Sequence, residues 1–251
     1  MNKTLEDHLG KLAMLLIFGY LGFRQVLSFI ISFDLRDKIA LWPLALLSQL
    51  CGVLFVSLIL YYTVTRLPPR DNAAGMMPRL VAVAGTFVMM LLIVLPPDQI
   101  GPTQRVISTA MIILGTCLSI WCLMQLGRSF SIMATSRELK TGGSYSVVRH
   151  PLYGAEVLMI LGVVLAHGSA LAYGVGLMWL LLQIRRAQYE ESVLRQTFPE
   201  YEEYARRVPM LIPGLRLPGL DTPHPARPAP SDIVEIKRPA NHSSHRQTPS
   251  T

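Results

Sequence analysis

Charge is what this chain has least of. Asp, Glu, Lys and Arg make up 16% of its 251 residues, against about 25% in an ordinary soluble domain. Apolar residues reach 51% and are clumped in runs longer than core helices need. Cysteine is nearly as scarce. Cys51, Cys117 and Cys122 all lie inside apolar runs, so a disulfide scaffold or zinc framework is excluded and they read as small core residues. No glycine-rich dinucleotide fingerprint is present. Gly174-Val175-Gly176 comes nearest, but it sits in an apolar run without a third glycine or a following acid. A cleaved signal peptide is not expected, because Glu6 and Asp7 precede the first apolar run and no small-residue cleavage site follows at short range. The net charge of +7 does not mark a nucleic-acid binder. The 23 Lys and Arg sit at the ends of apolar runs and in the tail, not on a basic face with interleaved aromatics. An integral membrane protein remains.

Crossing the hydrocarbon takes about 20 largely apolar residues in a helix. Four stretches qualify: residues 9–33 (interrupted by Arg24), 41–64, 80–95 and 106–126. The third is the shortest and stops at Pro96-Pro97. A fifth apolar region, 152–184, is long for one helix and short for two full crossings. His167-Gly168-Ser169 breaks it in the middle, and two half-length helices joined there would each rise about 22–25 Å.

Basic residues decide between one crossing and a hairpin. Arg66, Arg70 and Arg79 follow the second span, and Arg128, Arg137, Lys140 and Arg149 follow the fourth, each set against a single acid. The positive-inside rule makes both loops and the N-terminus cytoplasmic. Arg185 and Arg186 follow the fifth region with eight more basic residues behind them; only a hairpin returns these to the cytoplasm. Residues 185–204 read as a cytoplasmic helix, with Arg186 four residues before Glu190. The expected architecture is an all-α polytopic membrane protein. Four transmembrane helices, a helical hairpin and a cytoplasmic C-terminal helix are divided into an N-terminal membrane region (1–105), a core (106–214) and a disordered Pro-rich tail (215–251).

The hairpin draws two polar blocks together. The first contains Gly143-Ser144-Tyr145 and Arg149-His150-Pro151-Leu152-Tyr153. The second contains Glu190-Glu191-Ser192-Val193-Leu194 and Phe198-Pro199-Glu200-Tyr201-Glu202-Glu203-Tyr204. Plainer readings exist for each residue alone. Arg149 could anchor a helix start, His150 could cap it, the two glutamates could be a solvated face paired with Arg186 or Arg195, and the tyrosines could form an interfacial belt. Arg24, Glu156 and His167 read as intramembrane polar groups that serve packing before anything else.

Taken together, Arg149-His150-Pro151-x-Tyr153, the preceding Gly143-x-Tyr145, the apolar hairpin, Glu190-Glu191-x-x-Leu194 and Phe198-Pro199-x-Tyr201-x-x-Tyr204 resemble the isoprenylcysteine carboxyl methyltransferase family. That superfamily also includes phospholipid methyltransferases. The resemblance spans residues 106–214. Two departures are Ser144, where the family usually has proline, and Ala155, where it often has glycine. Membrane sterol reductases share the Arg-His-Pro-x-Tyr element, so an NADPH-dependent reductase stays open as an alternative, as does a non-catalytic scaffold or transporter.

The resemblance implies S-adenosylmethionine as methyl donor, bound without a Rossmann fold, and no metal. It implies that Gly143, Tyr145, Arg149, His150, Pro151, Tyr153, Glu190 and Glu191 line the cofactor site, with Arg149 and Glu190 nearest the chemistry. The acceptor is expected to be a hydrophobic or lipid-like molecule drawn from the membrane, with a carboxylate weakly preferred over a thiol or amine. An already ionised carboxylate needs no general base; holding the reactants in line is the main demand. Such an enzyme is expected in a bacterial inner membrane with both termini cytoplasmic.

Overall fold

The computed structural model describes residues 3–216 apart from residues 40 and 74. Most of the Pro-rich tail lies outside the described residues. Seven α-helices follow one another: α1 (Lys3–Asp34), α2 (Trp42–Thr65), α3 (Met77–Phe87), α4 (Pro102–Leu126), α5 (Pro151–His167), α6 (Ala170–Thr197) and α7 (Tyr201–Arg207). Three of them, α1 from His8 onward, α2 and α4, are long and apolar enough to cross a membrane. Their outward faces are studded with exposed Leu, Ile, Val and Phe, as lipid-facing surfaces require. The fold is an all-α polytopic membrane protein.

The third span departs from a regular α-helix. After 11 residues α3 tightens into a 3-10 segment, Val88–Ile93. Pro96 and Pro97 have no N–H to offer the carbonyls of Leu92 and Ile93, so the helix cannot close normally at its end. The tighter winding rises about 2 Å per residue instead of 1.5 Å, so the whole segment still reaches about 28 Å, close to the hydrocarbon thickness.

Helices α4 and α5 pack antiparallel at very close range. A side chain on Gly115 would strike the backbone of Met159, and a Cβ on Gly162 would lie 2.8 Å from the Ser108 carbonyl oxygen. Small residues here let the two backbones touch, which is how helices gain packing when lipid is as apolar as leucine.

The hairpin forms where the polar break stands. Gly168 adopts φ 77°, the left-handed C-cap that α5 needs, and the Ser169 Oγ caps α6 by accepting from the Ala172 N–H. His167 pins this turn, with Nε2 3.2 Å from the Leu95 carbonyl oxygen and Nδ1 2.9 Å from Ser169 Oγ. It is a packing residue at the end of the bundle far from the basic loops.

At the opposite end, the loops following α2 and α4 are stitched together. Two-residue strands β1 (Asp71–Asn72) and β2 (Thr135–Ser136) pair antiparallel, and Leu67 N donates to the Arg128 carbonyl at 2.9 Å. This small sheet has too few residues to announce itself in sequence. It places both basic loops at one end of the bundle, beside the outer half of α6. That helix also differs from the expectation of a separate cytoplasmic helix starting near residue 185. It runs unbroken for 28 residues, about 42 Å, because nothing between Ile184 and Thr197 interrupts it. Phe198-Pro199 ends it, and α7 folds back beneath.

Candidate active site

The connection from α4 to α5 crosses the basic end of the bundle and is anchored by Gln125. Its Oε1 accepts from the Ser144 N–H at 2.7 Å and from the Ser144 hydroxyl at 3.0 Å. Gly143, at φ 62°, lies so close to that amide that a side chain would collide with it. Serine in place of the family's proline therefore gains a hydroxyl contact to α4. Tyr145 then turns inward and is buried, and its carbonyl accepts from the Tyr204 hydroxyl at 2.5 Å. Burial pushes both phenols up, Tyr204 to about 12, so both stay protonated donors at neutral pH.

Arg149, His150 and Glu191 form a knot. Arg149 Nε donates to Glu191 Oε1 at 2.7 Å, with 1% and 2% of the two side chains exposed. Its NH1 donates to the carbonyls of Ala205 at 2.9 Å and Val208 at 2.6 Å. His150 Nε2 lies 3.2 Å from the same carboxylate oxygen, and Arg195 reaches Glu191 Oε2 at 3.0 Å. Burial alone would raise the Glu191 carboxyl, but hydrogen bonds and positive charge from His150 and Arg149 outweigh it and hold the group at about 2. Backbone bonds from Arg149 N to Pro209 O and from His150 N to Met210 O complete the clasp. This knot locks the segment after α7 against the start of α5.

Above it the other glutamate faces open space. Tyr153 donates to Glu190 Oε1 at 2.5 Å, Arg186 Nε lies 3.6 Å from the same oxygen, and the Arg186 guanidinium sits 5.1 Å over the Tyr153 ring. The His150 ring stacks on Tyr153 at 5.4 Å. These groups border a cavity of about 260 Å³. Its polar end carries Tyr145, His150, Glu190, Tyr201, Tyr204 and Lys140, and its apolar end runs between the helices to Phe18, Phe55, Ile59 and Trp179.

The structure thus separates the eight residues singled out by sequence. Tyr145, Arg149, His150, Tyr153 and Glu190 line the cavity. Gly143, Pro151 and Glu191 stand behind it: Gly143 in the turn against Gln125, Pro151 as the first residue of α5, and Glu191 in the buried knot. Arg149 lines the cavity's edge while its Nε and NH1 are bound within the protein. Sequence reasoning missed Gln125 and Gln183 altogether and gave Glu156 only a packing role. The signal was present as spacing: Gln183, Arg186 and Glu190 recur at i, i+3 and i+7 on α6, and Tyr153 and Glu156 at i and i+3 on α5. Each set forms one stripe facing the other helix. Among the described residues no three His, Cys, Asp or Glu side chains gather as a metal site.

The fold and the site define the class as a polytopic membrane protein with an amphipathic cavity bordered by tyrosines, a histidine and a carboxylate at one end of its bundle. Residues 103–201 match the family model described as phospholipid methyltransferase. Three curated relatives each align with part of the chain. The cobalt-zinc-cadmium resistance protein CzcN of Cupriavidus metallidurans is 32% identical over 47% of this chain and 53% of its own length. The nickel-cobalt-cadmium resistance protein NccN of Alcaligenes xylosoxydans is 35% identical over 39% and 44%. Protein-S-isoprenylcysteine O-methyltransferase B of Arabidopsis thaliana is 38% identical over 41% and 56%. The chain thus spans about half the length of the curated relatives it matches. Over residues 103–201 the chain is thus similar to the phospholipid methyltransferases, and one of its relatives is an isoprenylcysteine O-methyltransferase.

Proposed function

We propose that the protein transfers a methyl group from S-adenosylmethionine to a hydrophobic acceptor that enters from the membrane. The observation that carries this reading is the two-ended cavity. A ligand site for a water-soluble donor alone has no need of Phe18, Phe55 and Trp179 deep between helices, and a lipid groove alone has no need of Glu190 and Tyr201. The residues at the polar end fit the donor. The Glu190 carboxylate, 22% exposed, suits an ammonium or ribose hydroxyl. The buried Tyr201 hydroxyl has no hydrogen-bond partner among the described residues, and leaving such a group unsatisfied is costly unless a ligand fills the role. The stacked His150 and Tyr153 rings offer an aromatic face to an adenine.

Bound there, S-adenosylmethionine would supply a methyl group already activated on a sulfonium sulfur. The chain's task is then position. Tyr153 and Arg186 fix the Glu190 carboxylate between them, so its orientation is set before any ligand arrives. The Arg149–Glu191 knot holds α5, α6 and the segment after α7 in one rigid block, and preorganisation of this kind is worth several kcal/mol of barrier. Tyr145 and Tyr204 close the cavity toward water. The apolar end keeps the acceptor's chain in hydrocarbon while its head reaches the polar residues.

The basic loops meet at the site's end of the bundle, and by the positive-inside rule this supports a site, N-terminus and end of α7 that face the cytoplasm of a bacterial cell, where the donor would be found. Calorimetric titration of the purified full chain with S-adenosylmethionine and, separately, with NADPH tests the assignment. The expected result is saturable binding of S-adenosylmethionine alone. Binding of NADPH without S-adenosylmethionine would make the protein a reductase, and binding of neither would make it a scaffold.

A further inference from the structure

The cavity contains a carboxylate that the methyl donor's site does not use. Glu156 lies one turn below Tyr153 on α5 and borders the cavity toward its apolar end, near Met159, Trp179 and Gln183. Its Oε2 accepts from the Gln183 Nε2 at 2.7 Å. Its other oxygen makes no hydrogen bond among the described residues, and no cation comes within ion-pair distance of it. Gln183 is itself 4% exposed, and its buried Oε1 beside the cavity has no hydrogen-bond partner among the described residues. Gly85 on α3 leaves that amide its room: a Cβ there would lie 3.2 Å from Gln183 Oε1.

Two acceptors of hydrogen bonds therefore stand unfilled in an apolar passage, and one of them belongs to a carboxyl group that can take up a proton. A carboxylate inside a membrane bundle is costly to bury and is retained where it has a task. The other acid of the cavity's inner stripe, Glu190, is already held by Tyr153 and Arg186. What fits between Glu156 and Gln183 Oε1 is a donor, neutral or positively charged. What does not fit is a second carboxylate.

We propose that Glu156, with Gln183, selects an acceptor whose nucleophilic atom still carries hydrogen, an N–H or S–H group, and takes up its proton. The assignment rests on the methyltransferase reading and narrows its acceptor class against the carboxylate expected from sequence. The proton passes from nitrogen or sulfur to the free oxygen of the Glu156 carboxylate. The bonding pair stays on the nucleophile, which is left as a neutral amine or a thiolate. The titratable and charged groups around Glu156 are Tyr153 on its own helix, Arg186 and Glu190 on α6, Cys122 on α4 and Tyr145 in the connecting loop. Arg186 is the one cation among them, and it is engaged by Glu190 and the Tyr153 ring.

The test uses the full chain in lipid nanodiscs and three probes of equal tail length: octylamine, octanethiol and octanoate. Binding of each is measured by calorimetry without methyl donor, with empty nanodiscs subtracted. Reversing a ligand's charge a few ångströms from a half-buried carboxylate changes affinity by at least about tenfold. Octylamine or octanethiol is expected to bind at least that much more tightly than octanoate. E156Q is expected to abolish the difference and E156D to keep it, while all three proteins bind S-adenosylmethionine alike. The amine and thiol arms tell which N–H or S–H acceptor the site prefers. With donor added, octanethiol methylation by E156Q should shift to higher pH, where solvent rather than Glu156 removes the proton. Octanoate binding as tightly as both other probes, or a preference unchanged in E156Q, overturns the proposal. A wild-type chain that shows the amine or thiol preference yet binds no S-adenosylmethionine overturns the methyltransferase reading instead.

Discussion

Replacing Arg149 by alanine should unfold the cap at the basic end of the bundle more than it weakens any ligand. The side chain is 1% exposed, and its hydrogen bonds include those to Glu191 at 2.7 Å, Ala205 O at 2.9 Å and Val208 O at 2.6 Å. Removing one partner from a buried ion pair costs about 3–5 kcal/mol, because the remaining charge is left without compensation. Two carbonyls released at the end of α7 add to the loss. Glu191→Gln should cost less, since an amide oxygen still accepts from Arg149, but it surrenders the charge that His150 and Arg195 also contact. The same pair predicts an acid limit. The Glu191 carboxyl titrates at about 2 in the fold against 4.5 ordinarily. The fold is thus favoured while the group is ionised. That stabilisation, about 3 kcal/mol, is fully present above pH 4.5 and disappears as pH falls from 4.5 toward 2. Thermal unfolding in detergent, followed by near-ultraviolet circular dichroism across pH 3–7, reads both effects. An R149A protein with wild-type stability and lost donor binding would refute the reasoning and make Arg149 a ligand residue.

Glu190→Gln removes a charge from the cavity but no buried ion-pair knot, so folding should be kept. Its affinity for S-adenosylmethionine should fall roughly 10- to 100-fold, the worth of a hydrogen bond to a charged group. Unchanged calorimetric affinity would remove Glu190 from the site. His150→Ala deletes one face of the stack on Tyr153 and should weaken the same binding; normal affinity in both variants would defeat the site assignment while leaving the family standing. Gly162→Leu drives a side chain into the Ser108 carbonyl and Ile112. Overpacking of this kind costs about 1–3 kcal/mol or more, visible as a lost monodisperse peak in gel filtration; a stable variant would mean α4 and α5 are not in backbone contact. A phosphatase or fluorescent reporter fused after Ile212 should give the cytoplasmic signal, and a periplasmic one would break the hairpin topology.

The helices were legible because they are written in the coarsest code a chain has, apolar runs punctuated by charge, proline and glycine. The break at His167-Gly168-Ser169 was readable because a helix needs a left-handed residue to stop and a hydroxyl to start again. The 3-10 end of the third span was not, since it follows from bonds that Pro96 and Pro97 fail to make several residues earlier. Spacing brought Arg149, His150, Tyr153, Glu190 and Glu191 together correctly but did not divide them. Adjacent residues on a helix point about 100° apart, so Glu190 and Glu191 must face different surroundings. Which one meets the cavity depends on the rotation of α6, and that is set by packing against α3 and α5. Gln125, Glu156 and Gln183 stayed hidden for a related reason. Each lies inside an apolar run, where a lone polar residue reads first as packing; only the helical spacing to Arg186, Glu190 and Tyr153 marks Gln183 and Glu156, and nothing comparable marks Gln125.

The lengths of the hairpin arms explain why the site sits where it does. With 17 residues α5 rises about 26 Å, while the 28 residues of α6 rise about 42 Å. The turn at Gly168 sets both helices level at the far side, so α6 overshoots α5 by about 16 Å at the basic end. Glu190, Glu191 and Arg195 all lie on that overshoot with Arg186 at its base, and His150 and Tyr153 lie where α5 begins beside it. One rigid helix therefore carries Gln183 at the apolar passage and Glu190 at the polar opening, two turns apart. On the proposed reading, an acceptor held at the first and a donor held at the second would be positioned by the same backbone. Inserting a single residue between Gln183 and Glu190 would rotate one by about 100° against the other and should abolish methyl transfer while leaving the membrane helices in place. A transfer rate that survived this insertion would mean the two ends of the cavity act independently.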